Sequence, residues 1–169
     1  MPLILPVPIE FRLPEDWLPA PAPEGADAAD VAFAAVYQQP EAGFTANITV
    51  DGAFLPDTVT LAELAEESVE RLREVAESVA LAHRREVGSA EAPALTQRLT
   101  FSTAADGSRR DLVQSQVYLS MSDVDDPRKR AAVRLALTAT AAQHDEVLGD
   151  FQDFVRTVRP VNTPPGTGA

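Results

Sequence analysis

The chain has no cysteine. Disulfide staples, thiolate zinc sites, a cysteine nucleophile and a cysteine-borne lipid anchor are therefore outside its chemistry. Histidine is nearly as scarce. His83 and His144 lie far apart, without an H-x-x-x-H spacing, and each is expected to be a surface or hydrogen-bonded residue rather than a metal ligand. The chain also lacks a G-x-S-x-G elbow, a phosphate-binding loop and a dinucleotide glycine fingerprint. Ser115 stands between two glutamines on a strand pattern, not on a strained turn. No enzymatic activity, no cofactor and no metal are expected. No apolar run approaches the ~20 residues of a membrane-spanning helix, so membrane insertion is not expected either.

Positive charge is in short supply. Fourteen Lys and Arg face 26 Asp and Glu, a net charge of −12, and the first sixty residues hold nine acids and one base. Such a chain is repelled by phosphate, which argues against nucleic acid and anionic membrane as partners. The basic run Arg128-Lys129-Arg130 follows Asp123, Asp125 and Asp126 and reads as a solvated turn with internal ion pairs. The N-terminal Met1–Pro8 stretch lacks basic residues and is interrupted by prolines, unlike a signal peptide, so a cytoplasmic location is expected.

What the chain does have is an ordinary globular composition, 45% apolar over 169 residues. Residues 1–159 are expected to form a single domain, and the Pro/Gly-rich residues 160–169 a disordered tail. Strand patterns occur at Ile9–Leu13, Val31–Gln38 and Phe44–Asp51, the first two separated by a loop with prolines at 19, 21 and 23. Thr60-Leu61-Ala62-Glu63 is a capping box opening an amphipathic helix, with Leu61, Leu64, Ala65, Ser68, Val69 and Leu72 on its stripe. The dense carboxylates beside that stripe read as a solvated helix face. Further strands are expected at 79–87, 95–102 and 109–121, with Asp106-Gly107 as a hairpin turn. Between Ala132 and Arg159 the apolar period changes from two (Val133, Leu135, Leu137) to three and four (Val147, Leu148, Phe151, Phe154, Val155, Val158). A strand thus runs into a closing helix, whose Asp145, Glu146, Asp150 and Asp153 are expected in solvent. The order β-β-β-α-β-β-β-β-α predicts an α+β fold: a mainly antiparallel sheet of about six or seven strands with packed helices.

Several residues carry a resemblance. They are Phe11, Leu13, Pro14 and Trp17 (F-x-L-P-x-x-W), the strand Ala46–Val50 before a Thr-capped helix, Gln114-x-Gln116, and Leu137–Thr140 followed by Gln143 and Asp145. In this order they resemble the MOG/PsbP-like fold, in its bacterial branch of LpqN-type lipoproteins, DcrB-like proteins and Eag-type chaperones. The resemblance covers most of residues 9–159. It implies an α/β sandwich, no catalysis, and a protein partner in an adaptor or chaperone-like role.

If the apolar strand sides share one core, the opposite sides place Asn47, Thr49, Arg98, Thr100, Gln114, Gln116, Tyr118, Arg134 and Thr138 on one polar, carboxylate-poor sheet face. These are the candidate partner-binding residues; a homodimer is the other form an interface could take. The competing expectation is a small-ligand pocket between the sheet and the Pro-rich loop, with Trp17, the lone tryptophan, at its edge.

Overall fold

The computed structural model describes residues 9–20, 33–39, 44–56, 58–89, 92–105, 108–122, 128 and 130–160. Its elements are β1 (Ile9–Glu10), β2 (Trp17–Pro19), β3 (Phe33–Tyr37), β4 (Asn47–Phe54), α1 (Leu61–Val75), β5 (Glu77–Gly88), β6 (Pro93–Ala105), β7 (Ser108–Ser122), β8 (Arg130–Thr140), α2 (His144–Thr157) and β9 (Arg159–Pro160). Seven of the strands form one antiparallel sheet in the order β2-β3-β4-β8-β7-β6-β5, and β1 pairs with β9 in a separate ribbon. The fold is α+β, as its strand and helix patterns predict.

Strand β8 lies at the sheet's centre and is buried on both sides, because the two helices cover opposite faces. Val133, Leu135, Leu137 and Ala139 alternate toward α2, where they meet Val147, Phe151 and Phe154 together with Ile48 and Val50 of β4. Ala132, Arg134, Ala136 and Thr138 alternate toward α1. There Ala132 packs with Leu61, Ala65, Leu95 and Tyr118. The side of β8 opposite its Val/Leu face is thus the floor of a second, more polar core.

Local chemistry explains the helix ends. The Thr60 hydroxyl accepts from the Glu63 amide at 3.1 Å and opens α1 at the capping box. Helix α2 has no side-chain cap of that kind. Its start is held instead by Gln143, whose amide donates to Thr140 Oγ1 at 3.1 Å and whose side chain donates to the Gln39 carbonyl at 2.9 Å. Gly88 ends β5 at φ +82, a left-handed conformation that L side chains rarely adopt; a Cβ there would collide with the Ala92 carbonyl oxygen.

The N-terminal region departs from expectation. Only Ile9 and Glu10 of the first strand pattern pair, and they pair with Arg159 and Pro160, so the first residue assigned to the tail belongs to a ribbon. Phe11 continues past that ribbon into the core, stacking edge-on against Phe154 at 5.2 Å. The segment expected as the start of a loop forms β2, an edge strand in which Trp17 registers opposite Tyr37. Pro19 is tolerated there because an edge strand can leave one side of its ladder unpaired. The rest of the Pro-rich loop, the Asp106-Gly107 turn, the acidic residues 123–127 and the tail from 161 lie outside the described residues.

Candidate functional site

The register of β6 settles which candidate residues share a face. Gln97 pairs opposite Gln116 and Leu99 opposite Gln114, so the apolar-looking side of β6 lies under α1 with the glutamines. Arg98 and Thr100 pair opposite Ser115 and Val113, on the α2 side. They are therefore separated from Asn47, Thr49, Gln114, Gln116, Tyr118, Arg134 and Thr138, which do share the α1 face. The expectation failed because it assumed one core, whereas this sheet buries apolar residues on both sides.

The middle of that shared face is closed to solvent, while Thr49, Gln114, Arg134 and Thr138 are half-buried. Gln116 is 1% exposed and Tyr118 3%, beneath α1. Gln116 Oε1 accepts from Gln97 Nε2 at 2.6 Å and from the Tyr118 hydroxyl at 3.0 Å; its Nε2 donates to Ser68 Oγ at 3.0 Å. Gln97 also donates to the Ala65 carbonyl of α1 at 3.2 Å. Arg134 Nη1 donates to Ser68 at 3.0 Å, and Arg134 Nε to Asp51 Oδ2 at 3.0 Å. Burial is the largest single influence on Arg134 and opposes its charge, but the Asp51 carboxylate and the Tyr118 phenol, by charge and hydrogen bond together, outweigh it and raise the guanidinium pKa above its ordinary value. Burial likewise raises the Tyr118 phenol, with Arg134 opposing. The network ties α1 to the sheet and offers little free hydrogen-bonding capacity to a partner. A cavity of about 220 Å³ adjoins it, lined by Asp51, Arg71, Tyr118 and Arg134 among others.

Trp17 is 4% exposed, stacks against Tyr37 at 5.1 Å, and donates from Nε1 to Asp150 Oδ2 at 3.0 Å. It fastens β2 to α2 and lines neither the α1 cavity nor the groove described next. Asp150, expected in solvent, is half-buried by that contact.

The α2 face holds a more open feature. Helix α2 covers the β3-β4-β8 half of the sheet and leaves a groove of about 590 Å³ beside β7, β6 and β5. Val117, Leu119, Leu148, Phe151 and Val155 give it apolar walls; Arg98, Arg156 and His83 bring positive or titratable nitrogen. Among the described residues no carboxylate lines it. At its inner end Ser115 Oγ lies 2.8 Å from His144 Nε2, and Asp145 Oδ1 lies 3.6 Å from Nδ1. Burial, joined by the Arg98 charge, lowers the His144 pKa from 6.5, against the opposing Asp145.

The Ser-His-Asp line invites comparison with a hydrolase triad, but its surroundings differ. Ser115 lies mid-strand in β7, between two antiparallel ladders, so its backbone offers no oxyanion cradle of the kind a strained turn supplies. Asp145 is itself exposed and stands beyond hydrogen-bond distance. The Ser115–His144 bond pins the first turn of α2 to the sheet. Among the described residues no group of three metal-ligating side chains occurs, and no helix is long and apolar enough to cross a membrane.

No protein-family model matches the chain, and no curated protein matches it in sequence. Solved structures do match. LpqN of Mycobacterium tuberculosis, described as involved in cell envelope biogenesis, superposes with a TM-score of 0.61 at 15% identity, over 90% of this chain and 83% of that one. The Saccharomyces cerevisiae Ran-binding protein Mog1p gives 0.61 at 14% identity, over 91% and 90%. Cyanobacterial PsbP from Synechocystis gives 0.56 at 14% identity, over 90% and 86%. The chain has the MOG/PsbP-like fold. Within that fold, the groove residues His83, Ser115, Leu148 and Arg156 were not singled out as a site by sequence reasoning. One signal was available: Ser115 is in phase with Val113 and Val117, which places it on the α2 side of β7.

Proposed function

We propose that this protein is a non-catalytic, protein-binding adaptor or chaperone-like protein that receives a partner segment in the groove between α2 and the β5-β6-β7 half of the sheet. The observation that carries this reading is the groove itself: a concavity of about 590 Å³ with apolar walls, on the sheet face that α2 leaves uncovered. Its volume falls within the roughly 300–1,000 Å³ typical of binding clefts. Support also comes from the Ran-binding Mog1p, a protein of the same fold described by a protein partner. The buried face under α1 is the poorer candidate, since most of its polar groups already satisfy one another.

Site-specific photo-crosslinking tests the proposal. A benzoylphenylalanine at Leu148, in the groove wall, is expected to trap a discrete protein in the native cell. The same probe at Glu67, on the solvent side of α1, is not. Identical adducts from both positions, or none from Leu148, would overturn the reading.

A further inference from the structure

The groove's charge stands apart from that of the rest of the chain. The protein carries 26 acids against 14 Lys and Arg, yet among the described residues the groove lining contains two arginines, a histidine and no acid. The three basic groups come from three elements: His83 from β5, Arg98 from β6 and Arg156 from α2. Arg156 pairs with Asp153 in an exposed i,i+3 contact, which screens it little in solvent. Arg98 is half-buried, and among the described residues its guanidinium has no hydrogen bond or ion pair. A half-buried guanidinium without an anion gains from receiving one, because its five donors match a carboxylate bidentately.

We infer that the groove's occupant is an acidic amphipathic peptide segment of a partner protein. Its apolar side chains lie against Val117, Leu119 and Leu148, and one of its carboxylates meets Arg98. Basic groups distributed over three elements call for carboxylates spaced along a chain. An amphiphile with a single headgroup would meet one of them and leave the others unmatched. A second copy of this protein would bring acids as well, so it is an outcome that the test must separate. The inference rests on the groove being the partner site, and it adds what that partner presents.

Selection of a random twelve-residue peptide display library on the intact protein tests it, followed by fluorescence anisotropy of the enriched peptides. Enrichment in Asp and Glu interleaved with apolar residues is expected. Binding should weaken at least about tenfold with Arg98→Glu and less with Arg98→Lys, and it should fall as salt rises. Arg98 is only half-buried, so both variants should melt close to wild type; matched melting curves would establish that lost binding is not lost folding. Peptides that lose affinity with Leu148→Asp but carry no carboxylate excess, or ignore Arg98→Glu, would overturn the acidic partner while leaving the groove in place. Failure to enrich, or peptides indifferent to both substitutions, would overturn the groove as well. A concentration-dependent dimer in sedimentation that Leu148→Asp dissociates would seat a second copy there and overturn the peptide.

Discussion

Gln116→Ala separates the two roles open to the glutamine face. A solvent-facing glutamine on an antiparallel sheet can be truncated with little effect on stability, usually within about 0.5 kcal/mol. Here Gln116 is 1% exposed and bonds to Gln97, Tyr118 and Ser68 at 2.6, 3.0 and 3.0 Å. Truncation removes all of these bonds and opens a void beneath α1. The network softens the loss, since Gln97 keeps the Ala65 carbonyl and Ser68 keeps Arg134. With about 1–3 kcal/mol for groups left underpaired and a smaller void contribution, the expected cost is about 2–4 kcal/mol. At roughly 2–4 °C per kcal/mol for a chain of this size, the melting midpoint should fall by about 4–16 °C.

Urea unfolding followed by far-ultraviolet circular dichroism measures the difference, and the fluorescence of Trp17 gives an independent probe from the other side of the sheet. A double-mutant cycle with Gln97→Ala should show coupling of about 0.5–3 kcal/mol, because each residue's truncation already removes the bond between them. A Gln116→Ala midpoint indistinguishable from wild type on both probes would refute the buried-network account. It would return this face to the candidates for partner binding.

Two further predictions concern single residues. Gly88→Ala should lower the thermal midpoint, because φ +82 costs a side chain about 1–2 kcal/mol before the approach to the Ala92 carbonyl is relieved; an unchanged melting curve would contradict it. Burial holds the His144 imidazole below 6.5, so the unfolded chain takes up a proton that the folded chain resists; stability should decline as pH falls below about 6.5, until the folded imidazole also protonates. His144→Asn should flatten the plot of urea midpoint against pH on the acid side of about 6.5, and an unaltered slope there would place the pH dependence elsewhere.

The elements with strong periodicity were legible in the sequence. The capping box at Thr60, the period-two pattern at Val133–Leu137 and the helical stripe through Phe151 and Phe154 each announce their own structure, because one buried face leaves a pattern along the chain. What sequence could not assign was which buried face joined which. Leu95, Gln97, Leu99 and Phe101 look like a core side, and they are one, but the core is that of α1 and not of α2. Only register decides between two cores, and register is set by partners on other strands. Arg98 and Thr100 were grouped with Gln114 and Gln116 for that reason. Edge strand β2 was obscured by its prolines, since the pairing that stabilises it is made by Trp17 against Tyr37 across the sheet.

The same two-core arrangement accounts for where a binding site can exist. Under α1, polar groups of four elements meet and largely satisfy one another, so that face contributes to stability and specificity of packing. Under α2, the helix is anchored toward β2 and β3 by Trp17–Asp150, Phe11–Phe154 and Gln143–Gln39, all on one side of the sheet. Those anchors hold the helix over β3, β4 and β8, and the long strands β5, β6 and β7 extend past its cover. An apolar strip beside α2, and an Arg98 without an anion among the described residues, are the consequence. A helix centred over the whole sheet would have closed the groove. The fastening at β2, far from the groove, acts against the Ser115–His144 bond, which ties the first turn of α2 to β7, so loosening it should alter binding without touching a groove residue. Trp17→Phe removes the 3.0 Å bond to Asp150 while keeping a ring against Tyr37. It should change the affinity of groove-selected peptides by more than the about 1 kcal/mol loss of one hydrogen bond changes stability. Unchanged affinity in a folded Trp17→Phe protein would show that α2 is positioned by its core contacts and by its bonds to Ser115 and Gln39.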